Sequence, residues 1–229
     1  MAKKKVKTNL YFVADRSGSM NHMAAEVIGG FNAYVEKQKA EPGEANLTLV
    51  QFDGEYEVVH KALPIKEVPE LTSKVYFARG MTALYDAVGK TITEGLISSN
   101  AGELNIITIM TDGAEKASEG HSHEAVKARI KRAQEEFNWE LIFLGANMNA
   151  REYATNMGIK AKNVSNFAAN GAGMLNAVNT MSFASSSYRG FASGTVMDAN
   201  MEAFVKAADV STALSDAYDK IDKDSKTKV

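Results

Sequence analysis

Apolar residues recur along the chain with two periods, and the alternation between them lays out the elements. The run Thr8-Asn9-Leu10-Tyr11-Phe12-Val13-Ala14 is short, aromatic and branched, with turn residues after it, which predicts a buried strand. Behind the polar loop at 15–21, Met23, Val27, Phe31 and Tyr34/Val35 repeat at helical spacing to about Lys39, and Glu41-Pro42-Gly43 ends that helix. Residues 47–52 read as a second strand, and Asp53-Gly54 favours a tight turn into 56–60. The third strand is therefore expected antiparallel to the second, at a sheet edge. Pro64 and Pro69 mark an irregular stretch leading to Arg79-Gly80-Met81-Thr82, and from Thr82 to about Ser98 a helix carries Leu84, Val88, Ile92 and Leu96 on one face.

Residues 104–111 are nearly continuous in apolar and β-branched side chains, the mark of a central parallel strand covered on both faces. A helix with Val126, Ile130, Ala133 and Phe137 inward, a strand at 139–144, a short helix at 150–157 and a last strand at 163–167 follow. Strands and helices alternating at this spacing predict an α/β, Rossmann-like, doubly wound sheet, mostly parallel with one antiparallel edge strand and flanked by helices. Residues 1–7 read as a basic end and 8–167 as the α/β domain. Residues 168–221 read as a helical extension packing on it, with helical patterning at 174–183 and 197–221, and 222–229 as a disordered tail.

Composition narrows the function classes. Hydrophobic residues at 45% and charged residues at 24% exclude wholesale disorder. The 28 acidic and 26 basic residues give a net charge of −2, so there is no basic field to drive nucleic-acid binding. The absence of cysteine excludes a disulfide framework, thiolate zinc sites and cysteine nucleophiles. No apolar run approaches a membrane span, and the stretch at 10–14 is too short for the apolar core of a signal peptide, so a cytoplasmic protein with no membrane or nucleic-acid partner is expected.

In a doubly wound sheet, ligands collect at the carboxyl ends of the parallel strands. Asp15, Ser17 and Ser19 follow the first strand at alternate positions, Thr82 follows a glycine loop, and Asp112 ends the most hydrophobic strand. Two carboxylates and three hydroxyls are hard oxygen donors that suit Mg²⁺ or Mn²⁺ and suit zinc poorly. Taken singly, each segment is also an ordinary capping loop or strand-to-helix turn; their joint placement at one sheet edge is what capping does not explain.

Asp15-Arg16-Ser17-Gly18-Ser19-Met20 after a strand resembles the D-x-S-x-S signature of von Willebrand factor type A domains. Gly80-Met81-Thr82-Ala83-Leu84-Tyr85-Asp86-Ala87 resembles that family's threonine segment, and Thr111-Asp112-Gly113-Ala114-Glu115 its strand-end aspartate. The resemblance covers roughly residues 7–167. It implies a metal-ion-dependent adhesion site (MIDAS) for Mg²⁺ or Mn²⁺ in which Ser17, Ser19 and Thr82 are direct or near-direct ligands and Asp15 and Asp112 bind directly or through water. A partner's Asp or Glu, or water, would complete the shell. It implies a protein-binding module and not an enzyme, and it brings AAA+ ATPases and stress-response systems into view as partners.

The competing reading is a Mg²⁺-dependent phosphohydrolase with Asp15 as nucleophile. Haloacid-dehalogenase-like phosphatases place a second Asp two residues later, where this chain has Ser17. Arg16, Met20, His22, Met23, Arg79 and Met81 are expected to rim the metal face. His121 and His123 are expected to cap a helix or face solvent, and Asp86 either supports the site or is a solvated helix residue.

Overall fold

A computed structural model describes residues 6–195 and 197–206. Six strands form one sheet: β1 (Thr8–Asp15), β2 (Ala45–Phe52), β3 (Tyr56–Pro64), β4 (Leu104–Thr111), β5 (Glu140–Ala146) and β6 (Val164–Phe167). Their order across the sheet is β3-β2-β1-β4-β5-β6. Every pair is parallel except β2 with β3, which the turn at Asp53-Gly54 joins as an antiparallel edge. The chain winds outward from β1 in one direction and then from β4 in the other. The carboxyl ends of β1 and β4 therefore border the crevice where such sheets bind ligands.

Side chains alternate between the two faces of each strand. Leu10 and Phe12 of β1 join one buried layer with α1 (Ala24–Ala40) and α5 (Gly171–Ser193). Tyr11 and Val13 join the other with α2 (Leu84–Ser98), α3 (His123–Phe137) and α4 (Ala150–Asn156). β4 is buried along nearly its whole length, as its unbroken apolar run requires. Ile107→Ala is expected to cost about 2–5 kcal/mol by leaving a cavity beneath α2 and α3, measurable as a lower urea midpoint with unchanged slope.

Three expectations change. Phe137 does not face inward: α3 ends there in a left-handed Asn138, Phe137 is 41% exposed beneath the Arg132 guanidinium, and Trp139 takes the interior position. Trp139 stacks on Tyr11 and leaves no space for a Cβ at Gly95, which would stand 2.2 Å from its ring. The helix expected from Thr82 begins at Leu84, leaving Thr82 in the loop before it. The helical patterning at 174–183 belongs to a longer helix, α5, that runs on through Ser185-Ser186-Ser187.

Ser185 and Ser186 face α1, where small side chains let two helices approach closely. Ser185 Oγ lies 3.1 Å from the Tyr34 hydroxyl, and Gly30 of α1 sits against Met174 and Val178. Arg189 of α5 is buried and donates to the Gln38 carbonyl (2.9 Å), placing a cation at the negative end of α1. Beyond α5, α6 (Ala199–Lys206) seats Phe204 between Phe183 and Tyr188. The rest of the helix expected at 197–221, the expected tail at 222–229 and the basic residues 1–5 lie outside the described residues.

Candidate metal centre

Asp15, at the end of β1, is fully buried. Its Oδ1 accepts from the Ser17 N–H (2.7 Å) and its Oδ2 from the Thr111 hydroxyl (2.5 Å). The Ser17 and Ser19 hydroxyl oxygens lie 3.1 Å apart, and Ser19 Oγ donates to Asp112 Oδ1 at 2.6 Å. Thr82 is buried, and its Oγ1 stands 3.7 Å from where a Cβ on Gly113, the neighbour of Asp112, would be. All five residues expected at the site thus meet at the carboxyl ends of β1 and β4.

Backbone bonds lock the three contributing loops together. Gly18 N–H donates to the Gly80 carbonyl (3.0 Å), Arg79 N–H to the Arg16 carbonyl (2.7 Å), and Lys116 N–H to the Thr82 carbonyl (2.9 Å). The Tyr76 hydroxyl donates to the Asp15 carbonyl at 2.6 Å. Glu115 accepts from the Tyr85 N–H at the start of α2 (2.8 Å), so the loop after Asp112 caps the helix that follows Thr82.

Burial pushes the Asp15 carboxyl up to about 6, a rise that hydrogen bonds from Thr111 and Ser17 only partly offset and the nearby Asp112 charge adds to. A divalent cation between these carboxylates would remove that penalty. The donor set fits one: two carboxylates and three hydroxyls, all hard oxygens, with no imidazole or thiolate. Among the described residues, no three acidic or histidine side chains converge as a metal cluster anywhere, so a cation here would need the hydroxyls as donors.

The expected rim divides. His22, Arg79 and Met81 are exposed, but Arg16, Met20 and Met23 are buried. A 3-10 turn over Gly18–Met23 rotates the two methionines into the core under α1. Arg16 points away from the site toward the β2–β3 hairpin, pairing with Asp53 (3.1 Å) and Glu57 (2.5 Å). Arg79 also reaches Asp53, at 2.7 Å. Asp53 thus ties the Asp15 loop to the Thr82 loop, a role hidden in the sequence because Asp53-Gly54 reads only as a turn.

His121 is neither a cap nor solvated. Ser122 caps α3 by accepting from the Ala125 N–H, while His121 lies over Gly89 with Nδ1 2.7 Å from Asp86 Oδ1. Asp86 also accepts from the Glu119 and Gly120 N–H groups. It therefore pins the far end of the loop that Asp112 begins.

The family model of the von Willebrand factor type A domain matches residues 9–180, and the chain belongs to that family. The match reaches into α5. No curated protein matches the sequence. Among solved structures, the manganese-loaded TRAP protein of Plasmodium vivax is 17% identical over 76% of this chain and 73% of its own, with a TM-score of 0.55. Proximal thread matrix protein 1 from the mussel byssus, described with a zinc-occupied MIDAS motif, is 13% identical over 80% of this chain and 47% of its own, with a TM-score of 0.56. The ArnB paralog VWA2 from Sulfolobus acidocaldarius is 15% identical over 80% of this chain and 46% of its own, with a TM-score of 0.53. The chain thus spans less than half the length of the mussel and archaeal proteins, and at these identities the likeness is one of fold. No helix among the described residues is long and apolar enough to cross a membrane.

Proposed function

We propose that this domain is a MIDAS-type, metal-dependent protein-binding module, with Asp15, Ser17, Ser19, Thr82 and Asp112 holding Mg²⁺ or Mn²⁺ and a partner's Asp or Glu as the recognised group. The observation that carries the reading is the continuous chain of polar contacts from buried Asp15 through Ser17 and Ser19 to Asp112. Similar folds are described as manganese-loaded and with a zinc-occupied MIDAS, which supports a divalent ion here. When bound, the cation supplies a hard, electrophilic position for a carboxylate oxygen. The protein's own groups fix the ligands: Thr111 and the Ser17 N–H orient Asp15, and Ser19 orients Asp112.

Adhesion suits the site better than hydrolysis. The position two residues after Asp15, where a phosphatase of the competing kind needs a general acid, is a buried serine. His22, the histidine that follows the Asp15 loop, is exposed and its Nδ1 is turned to the Ser19 carbonyl at 2.7 Å. A cytoplasmic setting and an AAA+ ATPase or stress-response system as partner remain part of this proposal, as do the absence of nucleic-acid and membrane partners. Calorimetric titration with Mg²⁺ and with Mn²⁺ is expected to show one site, lost in Asp112→Ala. Heat that survives both Asp112→Ala and Asp15→Ala would place the metal elsewhere. Metal-dependent phosphate release from a generic phosphomonoester, lost in Asp15→Asn with metal binding retained, would favour the hydrolase.

A further inference from the structure

Three of the large apolar side chains left exposed among the described residues, Val75, Phe77 and Met81, come from the one short loop that delivers Thr82. The loop alternates. Tyr76 and Thr82 turn inward and are buried, and Ala78 packs on the core, whereas Val75, Phe77, Arg79 and Met81 turn outward. The inward residues and the backbone fasten it to the metal loop through Tyr76 to the Asp15 carbonyl, Arg79 N–H to the Arg16 carbonyl and Gly80 to the Gly18 N–H. The outward side chains are therefore held in a set position relative to the metal ligands. Phe77 is 47% exposed and Met81 56%. Arg79, stacked over the Phe77 ring at 5.6 Å and held by Asp53 and Glu55, keeps that ring in place.

We infer that Phe77 and Met81 form an apolar subsite beside the metal, so that the occupant is a protein segment carrying a bulky apolar side chain close to its metal-binding Asp or Glu. The inference rests on the proposed metal-dependent function and specifies its ligand. The chemistry selects this occupant: the cation favours a carboxylate, and the rigid Phe77 ring with adaptable Met81 favours an aliphatic or aromatic neighbour. Two apolar side chains are far smaller than a stable protein interface, so the patch cannot hold a partner alone and acts as the selective half of a two-point contact.

The test is selection of displayed random peptides on the full chain in Mg²⁺ with elution by EDTA. Recovered peptides are expected to pair Asp or Glu with a nearby Leu, Met or Phe. A synthetic peptide of that sequence should lose about tenfold in affinity on Phe77→Ala or Met81→Ala, with most of it restored by Phe77→Leu. Mg²⁺ binding heat, which reports the intact fold and site, should stay unchanged in these variants. Alanine in place of the peptide's apolar residue should weaken binding to the native chain and hardly affect Phe77→Ala. Peptides enriched in acids alone, or variants that bind as the native chain does, overturn the subsite and leave the metal reading standing. An absence of EDTA-eluted peptides overturns both.

Discussion

Replacing Asp53 by Ala is expected to destabilise the domain by about 3–5 kcal/mol, because it leaves a buried arginine without its main counter-charge. The Arg16 side chain is 1% exposed and the Asp53 side chain 3%. Asp53 also accepts from the Glu55 N–H at 2.6 Å, closing the turn between β2 and β3. Glu57 remains as a partner for Arg16 but is half exposed, and solvent screens the exposed Arg79 contact, so neither replaces the carboxylate. Burial by itself would raise the Asp53 pKa, but the Glu55 N–H and the Arg79 and Arg16 guanidinium groups outweigh it and hold it below the usual carboxylate range. A depressed folded pKa contributes stability above the unfolded value and loses it as pH falls through the folded one. The deficit of the variant should therefore be full at neutral pH and shrink in acid below the ordinary carboxylate range, as urea unfolding at the two pH values would show. A deficit under about 1 kcal/mol at neutral pH would mean that Arg16 finds solvent in the native state.

Asp53 also shows where reading a sequence stops. β4 was legible residue for residue, since a strand covered on both faces must be apolar throughout. That Asp15, Ser17, Ser19, Thr82 and Asp112 meet at one sheet edge was legible too, because each follows closely on the end of a strand or a glycine loop. The direction of side chains inside those loops was not. Met20 and Met23 stand next to the site in sequence, yet the 3-10 turn that carries them sends them to the core. The start of α2 was misplaced by two residues because its cap, Glu115, lies 30 residues away and leaves no mark beside Thr82. Phe137 and Trp139 each fit an inward position by period alone. Only the left-handed end of α3 at Asn138 decides between them. For Asp53 and for the start of α2 the concealed feature was a contact between distant segments; for the two methionines and Phe137 it was a local turn of the backbone.

Asp15→Asn is expected to make the metal-free domain more stable at neutral pH by about 1–3 kcal/mol while abolishing its response to Mg²⁺. Asparagine keeps the shape: its carbonyl can accept from the Ser17 N–H, and its amide can donate to the Thr111 hydroxyl, which itself has the Gly113 carbonyl to donate to at 3.0 Å. What is removed is a buried charge with no counter-ion among the described residues. Burial holds the folded Asp15 pKa at about 6, above its ordinary 3.8, so the carboxyl's contribution to stability is full below 3.8 and is lost as pH rises through 6. Without metal, the native domain should weaken between mildly acid and neutral pH relative to Asp15→Asn, and the two should converge near pH 4. Metal reverses the order: at about 100 times its dissociation constant a bound ion adds about 2.7 kcal/mol, a rise of several degrees in melting temperature. Thermal melts across pH, with Mg²⁺ and with EDTA, should therefore cross for the native domain and stay together for the variant. Parallel pH curves without metal, or an equal Mg²⁺ shift in both proteins, would show that the charge on Asp15 is not what the site holds in reserve for a cation.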